Sequence, residues 1–86
     1  MKLSYAYAVD ESVLQFFATC KGRERDELLR IFAELANNPF QPGDYLQKTS
    51  SFKELQVKRL GKWLVTYWPD HTVSELRILE VKRLIT

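Results

Sequence analysis

Residues 3–9 alternate: Leu3, Tyr5, Tyr7 and Val9 fall on one side and Ser4, Ala6 and Ala8 on the other, a period of two that predicts a strand. Asp10 then has the chemistry of a helix cap, and Glu11 suits the positive end of a helix dipole, so a first helix is expected over Glu11 to Thr19. Lys21 and Gly22 interrupt it. Beyond them Leu28, Ile31, Phe32, Leu35 and Ala36 recur at helical spacing, with Arg23, Glu24, Asp26, Glu27, Arg30 and Glu34 on the opposite side. Asn37, Asn38 and Pro39 end this second helix, because Asn tolerates a left-handed cap and Pro breaks the hydrogen-bond ladder.

The stretch from Asn38 to Ser51 reads as a long loop. Phe40 and Leu46 are expected to pin it, while Asp44 and Tyr45 are candidates to face a ligand. From Phe52 the pattern is strand-like again. Leu55 and Val57 alternate with Glu54, Gln56 and Lys58, and Gly61 with Lys62 forms a tight turn into a strand over Trp63 to Trp68. Pro69, Asp70 and His71 turn the chain once more, into a last strand from Val73 to about Leu84. The order β-α-α-β-β-β predicts an α+β fold, an antiparallel sheet packed on an N-terminal helix hairpin, in a single domain over residues 1–86. Trp63, Val65 and Tyr67 are expected with Leu79 on a sheet face that the helices leave uncovered, which suggests a partner surface.

Composition narrows the setting. With 86 residues, 45% hydrophobic and only three Gly and three Pro, the chain is neither disordered nor low-complexity. The single cysteine, Cys20, excludes an internal disulfide and reads as a packed small side chain. No apolar run approaches a membrane span and no leader pattern opens the chain, so the cytoplasm is the expected location. No metal-ligand cluster, phosphate loop or Ser-His-acid set is evident, and no cofactor is expected.

Charge is unevenly placed. The net charge is +2, but residues 1–43 carry −1 and residues 44–86 carry +3. Lys48, Lys53, Lys58, Arg59 and Lys62 stand against Glu54 alone, a stripe able to meet phosphate. Arg77 and Arg83 share parity on the last strand and are expected on one face. Lys58 is favoured over Arg59 for the open face, because Arg59 follows the parity of Leu55 and Val57. His71, the only histidine, belongs to the residue type that titrates nearest neutral pH; it would serve as general base if it reached the basic face, though its position reads first as an exposed turn.

Three segments in order resemble the RelE/ParE superfamily of small bacterial toxins from type II toxin–antitoxin systems. They are Leu35-Ala36-Asn37-Asn38-Pro39-Phe40, the run from Leu55 through Gly61-Lys62-Trp63 to Tyr67-Trp68, and Glu75-Leu76-Arg77-Ile78-Leu79-Glu80-Val81-Lys82-Arg83. The resemblance spans nearly the whole chain. It implies an antitoxin that wraps over the protein and one of two activities: cleavage of messenger RNA at the ribosome, as in RelE-like members, or inhibition of DNA gyrase, as in ParE-like members. DNA would be met only through the antitoxin, and a degenerate, non-toxic antitoxin binder is a third reading.

Cleavage by attack of a ribose 2′-OH on its neighbouring phosphate needs a base, a cation and an acid, but no metal. The residues assigned to it are Lys58, Lys62, Arg77 and Arg83, with His71 as an outside candidate; Lys53, Arg59, Lys82, Trp63 and Tyr67 are assigned to RNA binding. Relative to the family pattern, Glu54 and Gln56 stand where basic residues recur, Trp63 replaces an Arg, and the Tyr expected after Lys82-Arg83 has no counterpart before Thr86. The RelE-type catalytic set is therefore incomplete.

Overall fold

Alternation and capping place the first elements where the sequence predicts them. In a computed structural model, which describes residues 4–49 and 54–84, β1 spans Ala6–Val9 and α1 spans Glu11–Thr19. The Asp10 carboxylate caps α1 by accepting from the Ser12 hydroxyl at 2.7 Å and its backbone N–H at 3.0 Å, and these bonds hold the carboxyl below the usual carboxylate range. Helix α2 spans Gly22–Asn37 and buries the expected stripe of Leu28, Ile31, Phe32, Leu35 and Ala36.

Four further strands follow: β2 over Tyr45–Lys48, β3 over Glu54–Leu60, β4 over Trp63–Asp70 and β5 over Glu75–Arg83. They join β1 in one sheet of order β1-β5-β4-β3-β2. Strands β2 to β5 form an antiparallel meander, whereas β1 lies parallel to β5, with Tyr7 opposite Leu76 and Val9 opposite Ile78. The sheet is thus mixed, since alternation marks a strand but does not name its neighbour.

Strand β2 was expected to be loop. Its short, exposed sequence carries little periodicity, and it is held by pairing with β3 rather than by burial. Phe40 and Leu46 do not pin this segment by burial: they are 58% and 51% exposed. Polar ties do that work. Gly43 N–H donates to Gln56 Oε1 at 2.8 Å, Asp44 N–H to Val57 O at 2.7 Å, and Lys58 Nζ to Gln41 Oε1. The fit is closest at Gly43, where a Cβ would stand 2.6 Å from Val57 O and 2.8 Å from Val57 N. Because backbone cannot yield as a side-chain tip does, G43A is expected to destabilise the fold by about 1–3 kcal/mol. G22A, with nothing within 4 Å of the added methyl, should not; urea midpoints of the two variants check the contrast.

The largest departure from expectation concerns the two faces of the sheet. Residues directly opposite each other on neighbouring strands share a face. Trp63, Val65 and Tyr67 lie opposite Leu60, Lys58 and Gln56 on one side and, for Val65, opposite Val81 on the other. All three are at most 1% exposed and belong to the core with Val13, Leu28, Phe32, Leu35, Leu76 and Ile78. They face the helices, and the uncovered apolar patch expected from them does not exist. Both parities of β4 are apolar, so alternation alone does not choose between them; the set with Trp63, Val65 and Tyr67 packs with Phe16, Leu28, Phe32 and Leu35 of the helices. Cys20 is buried in the same core, 3% exposed, as a packed side chain.

Strand β5 carries a register shift against β4: Thr66 lies opposite Glu80, but Tyr67 lies opposite Ile78, so Leu79 is an extra residue. A bulge of this kind inverts side-chain parity beyond it. Arg77, opposite Trp68, therefore stands on the helix-free face, and Arg83, opposite Trp63, on the helix-covered one. The shared face expected for the two arginines is overturned by that one residue.

Candidate nucleic-acid interface

The cationic residues sort into three places. The first is the helix-covered end of the hairpin, where α2 begins beside the Gly61–Lys62 turn. Glu24 accepts from Lys62 Nζ at 2.9 Å, Arg83 Nη2 at 3.0 Å and the Lys21 backbone N–H at 3.1 Å. Arg83 also lies 5.3 Å from the Trp63 ring and 5.5 Å from the Phe16 ring, and Lys62 lies 5.0 Å from Trp63. The Trp63 indole N–H donates to Glu27 Oε1 at 2.8 Å. Lys62 and Arg83, assigned to catalysis, and Trp63, assigned to RNA binding, are thus members of a structural ion and ring cluster.

The Lys62 bond, then the Lys21 N–H and the charge of Arg83, hold Glu24 down at about 2. A carboxyl depressed in the folded state stabilises the fold above its ordinary pKa of 4.5 and loses that contribution as pH falls towards 2. The thermal midpoint of the parent protein should therefore exceed that of E24Q above pH 5, and the two should converge near pH 2. Because Lys62 reaches the pair from the solvent side, 45% exposed, added salt should narrow the gap.

The second place is the groove between α2 and β3. Lys58, opposite Val65, lies on the helix side, tied to Gln41 in a cleft of about 210 Å³ that Ile31, Glu34 and Asn38 also line. The reverse had been expected of Lys58 and Arg59. By alternation Leu55 and Val57 would face the helices, whereas both lie buried on the helix-free face, with Val57 paired to Thr66. Tyr67, also assigned to RNA, is inside the core; its hydroxyl donates to Gln41 O at 3.2 Å, and burial, with the nearby Asp44 charge, pushes the phenol up to about 12.

The helix-free face of the sheet is the third place. Across β3, β4 and β5 runs the row Arg59–Leu64–Lys82, and beside it the row Tyr45–Val57–Thr66–Glu80 begins on β2. With strands about 4.8 Å apart, Arg59 and Lys82 are mounted roughly 10 Å from each other. Arg59 is anchored through its backbone N–H to Asp44 Oδ2 at 2.7 Å and its Nε to Gly61 O at 3.4 Å, leaving the guanidinium tip on the surface. Lys82 Nζ stands 3.7 Å from Glu80 Oε1, with both side chains more than half exposed. Arg77 shares this face but is occupied by Asp70 at 3.7 Å and Glu75 at 3.4 Å.

His71 belongs to none of these groups. It sits in the turn after β4, at the opposite end of an eight-residue strand from Lys62, or roughly 25 Å away. Its Nδ1 is 2.7 Å from the Tyr5 hydroxyl and its ring stacks on Phe40 at 4.9 Å, so it ties the N-terminal segment to the turn. Lys53 lies outside the described residues. Among the described residues no group of His, Cys, Asp or Glu is placed to hold a metal, and no helix is long and apolar enough to cross a membrane. Sequence reasoning missed Glu80 and undervalued Tyr45. Locating them required the β2 pairing and the β5 bulge, neither of which leaves a periodic signal.

No family model and no curated protein matches the sequence. Solved structures do match. The toxin–antitoxin complex RelBE2 from Mycobacterium tuberculosis aligns with a TM-score of 0.78 at 16% identity, over 93% of this chain and 98% of that one. The archaeal RelE–RelB complex from Pyrococcus horikoshii gives 0.71 at 17% identity, over 93% and 94%. The isolated E. coli RelE toxin gives 0.71 at 14% identity, over 96% and 87%. At such low identity the likeness speaks for architecture, and on that ground the chain has the fold of the RelE toxins.

Proposed function

We propose that the chain is the toxin component of a type II toxin–antitoxin system and that it acts on RNA through the helix-free face of its sheet. The supporting observation is the row of Arg59 and Lys82 on rigid central strands, with the exposed carboxylate of Glu80 one row away. On this reading the Glu80 carboxylate accepts the proton of a ribose 2′-OH as that oxygen attacks the adjoining phosphorus. Arg59 stabilises the charge that grows on the phosphate oxygens, and Lys82 donates to the departing 5′-oxygen. A 2′,3′-cyclic phosphate and a 5′-hydroxyl result. No step calls for a metal or cofactor.

Similarity to RelE proteins solved with RelB supports a cognate antitoxin as partner, and on this reading the two meet in the cytoplasm. Messenger RNA on the ribosome is the proposed target. Brief induction in bacteria without the antitoxin, followed by mapping of transcript ends, tests the reading: growth arrest with new 5′-hydroxyl ends is expected. Arrest with intact transcripts and blocked supercoiling would instead assign the chain to gyrase inhibition, and harmless expression with tight antitoxin binding to a non-toxic family member.

A further inference from the structure

Tyr45 is an exposed aromatic ring on an unusually well-fixed mount. It opens the edge strand β2, is 53% exposed, and pairs with Val57, whose face of the sheet is free of helices. The residues before it are clamped. Gly43 lies against the Val57 backbone, Asp44 N–H donates to Val57 O, and Asp44 Oδ2 accepts from Arg59 N–H. Its own side chain makes no hydrogen bond or ring contact among the described residues. An exposed ring without such contacts would ordinarily move freely, but here the backbone fixes where it can reach.

Its neighbours give the ring a chemical setting. Arg59 is two residues from Val57 on the same strand, hence the diagonal cross-strand neighbour of Tyr45, about 7–8 Å away on the same face. Val57 and Thr66 are 1% and 5% exposed and form the floor between the ring and Glu80. A flat π-surface beside a guanidinium, over a floor closed to water, matches a nucleotide whose base is unstacked and whose phosphate is adjacent. A protein side chain would use the ring without needing the cation.

We infer that Tyr45 is a base-stacking residue: it receives one unstacked base of a single-stranded RNA while Arg59 holds the neighbouring phosphate, and so fixes which phosphodiester bond faces Glu80 and Lys82. The inference rests on the RNA reading above and adds to it a residue that sets register rather than chemistry.

The test uses the whole protein and a short single-stranded RNA carrying 2-aminopurine at successive positions. In the parent protein one position should lose fluorescence on binding. Y45F and Y45W should preserve that signal. Y45A, and Y45L, which keeps apolar bulk without a ring, should abolish it and weaken binding by at least about five-fold, with thermal midpoints unchanged. Binding and quenching that persist in Y45L overturn the stacking role and leave the RNA reading standing. Failure of the parent protein to bind RNA at all overturns both.

Discussion

Replacing Trp63 by alanine is expected to cost about 3–5 kcal/mol, the range for removing a large buried ring. For a small domain whose whole stability is of order 5–15 kcal/mol, that loss removes a large share of the margin. Trp63 is fully buried, stands edge-on to Phe16 at 5.9 Å, donates to Glu27 and lies beneath Lys62 and Arg83. Truncation therefore opens a cavity, strands a carboxylate and frees two cations from their ring. W63F keeps most of the volume and should lose less, the remaining deficit reflecting the indole N–H. Urea denaturation separates the two. A W63A protein as stable as its parent, but weaker on RNA, would restore Trp63 to the surface role that the sequence suggested.

The second large effect concerns activity. R59A combined with K82A should reduce toxicity and RNA cleavage by a hundred-fold or more, since removing one donor to a developing oxyanion costs roughly 10²–10³ in rate. Both side chains lie on the exposed face, so thermal midpoints should stay close to those of the parent. The same pair of measurements on K58A should move the other way, with modest loss of stability through Gln41 and little change in cleavage. Full toxicity in the double variant would remove the helix-free face from consideration as the RNA site.

How far the sequence led can be judged from particular residues. Asp10 and the apolar stripe of α2 were legible because capping and helical periodicity are local and strong. The turn at Gly61 was legible too, its φ of 63° being one that glycine adopts without cost. The assignment of faces was not. On β4 both parities are apolar, so alternation left two solutions that differ only in which set of rings fits under the helices. That choice carried Lys58, Arg59, Trp63 and Tyr67 with it, because each site residue takes its side from its cross-strand partner. A nonlocal quantity, the shape of the space beneath α1 and α2, decided it.

The extra residue in β5 also makes a prediction about descent. Because Leu79 is the surplus residue, removing it would close the bulge and set Glu80 directly after Ile78, leaving Val81 in the core and Lys82 on the open face. One more residue there would instead have to widen the bulge or exchange inside for outside in everything that follows, turning Lys82 towards the core and Val81 into water. Relatives of this chain should therefore tolerate a one-residue gap at position 79 with the same surface chemistry, whereas an insertion there would signal a different one.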